Sequence, residues 1–160
     1  MTNKKNTVYM AESWFNPAQE EFRLLGMERM SKNSTIDWNN SFRPIEHQYK
    51  NWKITDHPDL LSNKEWQLAT FRSDCQAIDA MDIVIALYDP RQENSDPGVL
   101  WELGYAFAMK KPTFIILPNG ELPDLNLMPA LGATNILNIT ELDLFDFNNK
   151  NFNIYDGSVY

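Results

Sequence analysis

The chain has 160 residues, of which 43% are hydrophobic, and this length suits one domain with a substantial core. Its formal net charge of −8 at pH 7 argues against a protein that binds nucleic-acid backbones, because such affinity comes from basic side chains. A single cysteine, Cys75, excludes an internal disulfide framework, and no stretch has the length of a membrane span or the pattern of a signal peptide, so we expect a cytoplasmic protein without membrane contacts.

The chain opens with a predicted strand over residues 7–11, followed by a helix. Asn16 and Pro17 mark the start of the helix, because the amide can cap free backbone N–H groups and proline suits the first helical position. Apolar residues at approximately helical spacing predict the buried stripe of this helix, and they are Phe22, Leu25, Met27 and Met30.

Residues 35–61 predict a short strand near Ile36 and then a long loop interrupted by prolines. A loop of this length usually binds a ligand or closes over one. Aromatic residues such as Phe42 and Tyr49 would suit stacking on a flat ring, with the amide of Gln48 reading the edge of that ring. The alternative, that the aromatic side chains only cover the core, stays open.

A second helix and the clearest strand come next. Ser62 as cap, with Glu65 three residues later, forms a capping-box signature, and the helix is predicted to end near residues 79–81. Asp74 lies inside this helix, where an aspartate is usually solvated. Residues 82–88 form a nearly continuous apolar run, which is typical of a strand buried on both faces of a parallel sheet.

The third helix carries the residue that most needs an explanation. Asp96 and Pro97 mark its start, and from residue 99 to residue 109 every residue except Glu102 is apolar, glycine or tyrosine, so we expect a helix packed on nearly all sides. A buried carboxylate is costly unless it is hydrogen-bonded, paired or protonated. Glu102 is therefore either a structural glutamate bonded to a neighbouring helix or tyrosine, or a functional carboxylate.

The remaining elements complete a doubly wound, flavodoxin-like α/β sandwich with a parallel sheet of about five strands. Strands are predicted over residues 111–117 and 134–139, with a loop or short helix at 124–129 between them and a docked C-terminal tail. Asp96 and Glu102 then lie just beyond the carboxyl end of a central strand, where ligands bind in open parallel sheets.

Several catalytic signatures are absent from the sequence. There is no glycine-rich phosphate loop, no dinucleotide fingerprint after the first strand and no Gly-x-Ser-x-Gly elbow. His47 and His57 with one cysteine do not make a convincing metal cluster, so we expect no metal site. Carboxylates remain, at Asp74, Asp96 and Glu102, and carboxylates in an uncharged aromatic pocket suit glycosyl transfer.

One set of residues carries a family resemblance. Asp96 stands six residues before Glu102 in the run Trp-Glu-Leu-Gly-Tyr-Ala, Asp74 lies upstream, and Asn126-Leu127-Met128 follows downstream. This pattern resembles the nucleoside 2-deoxyribosyltransferases of lactic acid bacteria. The likeness covers essentially the whole chain, and its further positions are Tyr9, Trp14-Phe15, Pro44, Gln48-Tyr49-Lys50 and the terminal residues 155–160.

The resemblance implies a cofactor-free exchange of the base on a 2′-deoxynucleoside through a covalent deoxyribosyl-enzyme. Glu102 would attack C1′, Tyr9 would hold the Glu102 carboxylate in line, and Asp74 would protonate the leaving base and deprotonate the incoming one. Asp96 would position sugar hydroxyls or the base, and Gln48 would hydrogen-bond the base. The other substrate-binding residues that it implies in this part of the chain are Ala11, Trp14 and Phe15.

The resemblance also implies a homo-oligomer, commonly a hexamer built as a trimer of dimers, whose ligands are deoxynucleosides and free nucleobases. Asn126 and Met128 would complete the site of a neighbouring subunit, and the terminal carboxylate of Tyr160 would reach that site as well. The loop around Gln48 and the tail favour the type that accepts both purines and pyrimidines. Glu12 departs from the first loop of the family, where small residues are common.

Two other functions stay open at this stage. In a nucleoside or nucleotide N-glycosidase of the same superfamily, water would replace the second base. In a flavodoxin-like binding or signalling module, Asp74, Asp96 and Glu102 would be structural only. In each case residues 1–160 are expected to form a single domain.

Overall fold

A parallel sheet of four strands organises residues 4–160, the part of the chain that the computed structural model describes. The strands follow one another across the sheet in the order β1-β2-β3-β4 and are β1 (Val8–Ala11), β2 (Ile83–Leu87), β3 (Thr113–Leu117) and β4 (Asn135–Asn138). The helices are α1 (Pro17–Lys32), α2 (Lys64–Ala80), α3 (Pro97–Ala108) and α4 (Leu127–Gly132). None of the helices within residues 4–160 combines the length and the apolar character that a membrane crossing needs.

Both faces of the sheet are covered, so the predicted doubly wound α/β architecture is confirmed. Every residue of β2 and β3 is buried. One face packs against α1 and the segment that follows β4, through residues such as Met30 and Phe147. The other face packs against α2, α3 and α4, through Ile78, Leu103 and Ala130.

The predicted count of about five strands is one too high, because the expected strand near Ile36 does not form. Ile36 makes only an isolated bridge to Asn6, and a second bridge joins Phe42 to Tyr9. Between these bridges the Ser41 hydroxyl accepts a hydrogen bond from the backbone N–H of Val8, and residues 38–40 form a 3₁₀-helix. A side chain therefore interrupts the backbone ladder that a fifth strand would need.

The long loop after Ile36 folds into short 3₁₀-helices, which are Trp38–Asn40, Pro44–Glu46, Tyr49–Asn51 and Pro58–Ser62. The last of them shifts the start of α2 from the predicted position. Asn63, not Ser62, is the cap, and its side chain accepts from the N–H of Trp66 over 3.0 Å. The carboxylate of Glu65 accepts from Tyr49 and Lys50, so the predicted capping box is wrong.

The predicted stripe of α1 is confirmed at Met30 and half-buried at Phe22 and Met27, but it is wrong at Leu25. The buried residues of this helix are Gln19, Arg23, Gly26 and Met30, which follow the helical period but include only one large apolar side chain. Leu25 is 38% exposed. The helix can pack closely because Gly26 lies against Leu87 on β2: an added Cβ would be 2.6 Å from a Leu87 methyl carbon.

Helix α3 is less enclosed than expected. Val99, Leu103 and Ala106 face the core, whereas Trp101 is 49% exposed and Phe107 is 62% exposed. An apolar helix sequence therefore does not imply burial on every side within one chain.

Substituting Gly26 with leucine tests the close approach of α1 to the sheet. We expect Gly26→Leu to lower the free energy of unfolding by about 1–3 kcal/mol, because overpacking forces neighbouring side chains out of their rotamers. Ala18→Leu is the control, since Ala18 lies exposed on the same helix. Urea unfolding measures both variants, and equal stability of the two would contradict the close contact.

Candidate active site

A hydrogen bond between Tyr9 and Glu102 lies at the centre of the candidate site. Tyr9 is fully buried on β1, and its hydroxyl donates to Oε1 of Glu102 on α3 over 2.6 Å. A bond to a tyrosine was one of the two alternatives for Glu102, and it is present. The bond joins the sheet to a helix that covers it and gives the carboxyl group one strong donor.

The start of α3 sets where Glu102 lies. Asp96 is the cap, as predicted, and its Oδ1 accepts from the N–H of Gly98 over 2.9 Å, with Pro97 as the first helical residue. The helix begins after the loop that leaves the carboxyl end of β2. Glu102 therefore lies in the second turn of α3, near the edge of the sheet where ligands bind in this architecture.

Asp74 is half-buried on α2 and is not the solvated aspartate that is usual on a helix. Burial raises its pKa to about 7. Its charge also raises the pKa of Glu102. A carboxyl group with a pKa near 7 can both give and take a proton at neutral pH.

Burial is the main reason that the pKa of Glu102 is raised to about 8. The charges of Asp74, Asp96 and Glu12 raise it further, whereas the hydrogen bond from Tyr9 lowers it by stabilising the carboxylate. Burial and the charge of Glu102 also raise the pKa of Tyr9, so the phenol remains a donor at any ordinary pH. Near neutral pH this group of acids therefore retains protons that it can transfer.

Gln48 is buried, and much of its amide is already in use. Its Oε1 accepts from the N–H of Ile54 over 2.8 Å, and its Nε2 donates to the carbonyl of Ile45 over 3.2 Å. One N–H of the amide is left for another partner. Among the aromatic residues nearby, Phe42 covers the core, because its ring stacks on Tyr9 with 5.7 Å between ring centroids.

The loop from β1 to α1 carries the other predicted residues of this edge. Ala11 is fully buried at the end of β1 and pairs with Ala86 on β2. Trp14 and Phe15 follow it, with their ring centroids 5.5 Å apart, and Phe15 is 70% exposed. The ring of Phe15 is therefore free to contact a ligand.

Asn126, Met128 and Tyr160 do not join the acids in this chain. Asn126 caps α4, and Met128, which is 74% exposed, lines a largely apolar cavity of about 480 Å³ between α3 and α4. The tail reaches this point because the N–H of Leu127 donates to the carbonyl of Tyr160 over 3.0 Å. Neither Glu102 nor Asp74 lines that cavity.

Within residues 4–160 no group of three or more His, Cys, Asp or Glu side chains is arranged to hold a metal ion. The chemistry that this arrangement can perform is that of carboxyl groups and a phenol: nucleophilic attack, proton transfer and hydrogen bonding.

Glu12 is the buried acid whose environment sequence reasoning did not anticipate. It is 5% exposed, and neither of its carboxyl oxygens has a hydrogen-bond partner in the part of the chain that the structure describes. Burial raises its pKa to about 8, although the charge of Arg23 on α1 opposes this. The only signal in the sequence was a glutamate in a loop position where the resemblance led us to expect a small residue.

The chain is similar to several known proteins over most of its length. The family model described as nucleoside 2-deoxyribosyltransferase matches residues 8–128. A nucleoside deoxyribosyltransferase of Lactobacillus johnsonii is 37% identical over 150 residues, which cover 92% of this chain and 98% of that protein. Another, from Lactobacillus leichmannii, is 34% identical over 157 residues, which cover 98% of this chain and 99% of that protein.

The fold is shared with a solved structure. The 2-deoxyribosyltransferase of Bacillus psychrosaccharolyticus is 22% identical and aligns with a TM-score of 0.74 over 93% of this chain and 98% of that one. Similarity at this level of identity supports the architecture of the sheet and helices.

Glu12→Gln tests the burial of this acid. In the unfolded chain Glu12 releases its proton near pH 4.5, but in the folded chain its pKa is about 8, so rising pH between these values disfavours folding by up to about 1.4 kcal/mol per unit. The glutamine variant lacks this contribution. We therefore expect urea unfolding to show the variant gaining stability relative to the wild type from pH 5 to pH 8, and parallel curves would contradict the burial.

Proposed function

The chain belongs to the nucleoside 2-deoxyribosyltransferase family, whose members move deoxyribosyl groups between bases, and we propose that it transfers the 2-deoxyribosyl group of a 2′-deoxynucleoside to another free purine or pyrimidine base. The observation that carries the proposal is the partly buried 2.6 Å hydrogen bond from Tyr9 to Glu102. We place the activity in a single domain over residues 1–160 and in the cytoplasm, since the lone Cys75 fits a reducing compartment.

The proposed reaction is a double displacement on Glu102. A carboxylate oxygen of Glu102 forms a bond to C1′ while the bond from C1′ to the base nitrogen breaks, and the departing base keeps the electron pair. The second base then attacks C1′ from the face that the first one left, and the ester to Glu102 breaks. Two inversions at C1′ return the original configuration. Tyr9 supports this role because its hydroxyl donates to the carboxylate and so orients it.

Asp74 supplies and recovers the proton of the base. Its pKa of about 7 suits a group that protonates the leaving base and later deprotonates the incoming one. Glu102 must be ionised to attack, and its pKa is raised to about 8, so the reactive form is the one in which the proton resides on Asp74. The Tyr9 hydroxyl favours that form because it stabilises a charged Glu102.

The substrate would lie between the β1–α1 loop and the start of α3. Phe15 and Trp14 would contact the rings, beside the buried backbone of Ala11, and the unused N–H of Gln48 would read the edge of the base. Asp96, whose second carboxylate oxygen accepts nothing in the described structure, would accept from sugar hydroxyls or from the base.

We further propose that the site is completed by a second copy of the chain, in a homo-oligomer such as a hexamer built as a trimer of dimers. Asn126 and Met128 lie on an exposed apolar surface around α4, away from the acids of their own chain. The backbone of the tail brings Tyr160 to the same surface. These residues would therefore meet the substrate of a neighbour, with Asn126 directed at the 5′-hydroxyl.

Glu102→Gln tests the proposed nucleophile. The amide keeps the shape of the side chain and an oxygen for the Tyr9 hydroxyl, but it cannot form the ester, so we expect kcat for conversion of deoxyinosine and adenine into deoxyadenosine to fall about a thousandfold or more. Mass spectrometry of wild-type protein trapped with a fluorinated deoxynucleoside should show an adduct on Glu102. Deoxyadenosine formation at the wild-type rate by the variant would refute the assignment, and release of free sugar alone by the wild type would indicate a hydrolase.

Asp74→Asn tests the proton transfer. Asp74, with a pKa of about 7, must keep its proton, and Glu102, with a pKa of about 8, must lose its own, so the wild-type rate should pass through a maximum between these values and decline at higher pH. We expect the variant to lose about 10²–10⁴-fold in rate, most for the slowest-leaving bases, and to lack this alkaline decline. Asp79→Asn is the matched control, because Asp79 lies exposed on the same helix and, within residues 4–160, its carboxylate accepts only from Tyr105. Equal losses for all bases would argue against the acid role.

A further inference from the structure

Two loops at the carboxyl edge of the sheet carry proposed substrate-binding residues. The first runs over residues 12–16 between β1 and α1 and bears Phe15. The second runs over residues 88–96 between β2 and α3 and ends at Asp96. The two loops belong to different β-α units. The conformation of one loop therefore does not by itself determine the distance between the two loops.

Gln19, on α1, connects the two loops with a single side chain. Its Oε1 accepts from the N–H of Phe15 over 2.8 Å, and its Nε2 donates to the carbonyl of Asn94 over 2.9 Å. Gln19 and Asn94 are both buried. Because water has little access, neither bond can be exchanged for one to solvent without cost.

The far end of this connection is itself held in place. Nδ2 of Asn94 donates to Asp89 over 2.7 Å, and Asp89 also accepts from the guanidinium of Arg91. Oδ1 of Asn94 accepts from Nδ2 of Asn16 over 3.2 Å, while Oδ1 of Asn16 accepts from the N–H of Gln19 over 2.9 Å. The network therefore closes on itself, from the end of β2 to the first turn of α1.

Phe15 depends on this network because its side chain has little packing of its own. Its ring is 70% exposed and contacts the ring of Trp14. The backbone N–H bonded to Gln19 is thus a main anchor of the residue. Asp96 is separated from Asn94 only by Ser95, whose hydroxyl is hydrogen-bonded to that of Tyr88 over 3.2 Å.

We propose that Gln19 is a positioning residue for the deoxynucleoside: it fixes the separation of Phe15 from Asp96 through its bonds to Phe15 and Asn94, without touching the substrate. The inference rests on the proposed function, since it takes Phe15 and Asp96 as substrate contacts. It differs from a purely structural role, because loss of the connection should weaken substrate binding more than it slows the chemistry at Glu102.

Gln19→Leu removes both bonds and is the main test. We expect KM for the donor deoxynucleoside, measured at saturating acceptor base, to rise about tenfold or more while kcat stays within about threefold of the wild type. Gln19→Glu keeps an acceptor for the N–H of Phe15 but loses the donor to the Asn94 carbonyl, and it should give an intermediate KM. Gln19→Glu also keeps the inference testable if Gln19→Leu does not fold.

Asn33→Leu is the matched control. Asn33 is also buried, and its side-chain amide also donates to backbone carbonyls, those of Leu142 and Phe145, over 2.6 and 2.8 Å. It lies at the opposite end of α1 from Gln19. This variant should lower the melting temperature without changing KM. A KM for Gln19→Leu that equals the control value, with only stability reduced, would overturn the inference.

Two readouts that do not depend on turnover separate this inference from the proposed function. Hydrogen exchange of the Phe15 amide should accelerate in Gln19→Leu, and calorimetry should show the Kd of deoxyinosine weakened about tenfold. Wild-type protein that binds deoxyinosine but forms no deoxyadenosine would overturn only the proposed reaction. An unchanged Kd in Gln19→Leu would overturn only the positioning role.

Discussion

The hydrogen bond from Tyr9 to Glu102 is the contact on which the geometry of the candidate site depends. An ionised carboxylate in apolar surroundings is unfavourable because it has lost its hydration. The phenol offsets part of that loss by donating to the charged form. Since Tyr9 is anchored in β1 and Glu102 in α3, the packing of helix on sheet also fixes where the carboxyl oxygen lies.

The neighbouring acids determine how many charges this edge of the sheet can hold. The charges of Asp74, Asp96 and Glu12 all raise the pKa of Glu102, so ionisation of Glu102 is less favourable when these neighbours are charged. Such a cluster destabilises the fold at high pH, but it keeps protons at this edge of the sheet at neutral pH. The arrangement is thus costly for stability, and the proposed function would use these protons for the leaving base.

Buried polar side chains fix the positions of the loops by hydrogen bonding, whereas apolar packing fixes the positions of the strands. On α1 the inward face carries Gln19 and Arg23 beside Gly26, and hydrophobic periodicity cannot recognise such a face. The glutamine bonds to two loop backbones and the glycine permits close approach to Leu87. Satisfied buried polar groups of this kind specify one arrangement of the loops, whereas apolar contacts would allow several.

The sequence by itself determined the elements whose causes are local. The cap at Asp96 and the buried strands β2 and β3 follow from neighbouring residues, and they place Glu102 at the carboxyl edge of the sheet. Only the tertiary structure decided that no strand forms at Ile36, that the amide of Gln48 is bonded to loop backbone, and that Glu12 is shielded from water. The physical reason is that these outcomes depend on partners distant in the chain, and burial and hydrogen bonding across such separations leave no periodic signal in the sequence.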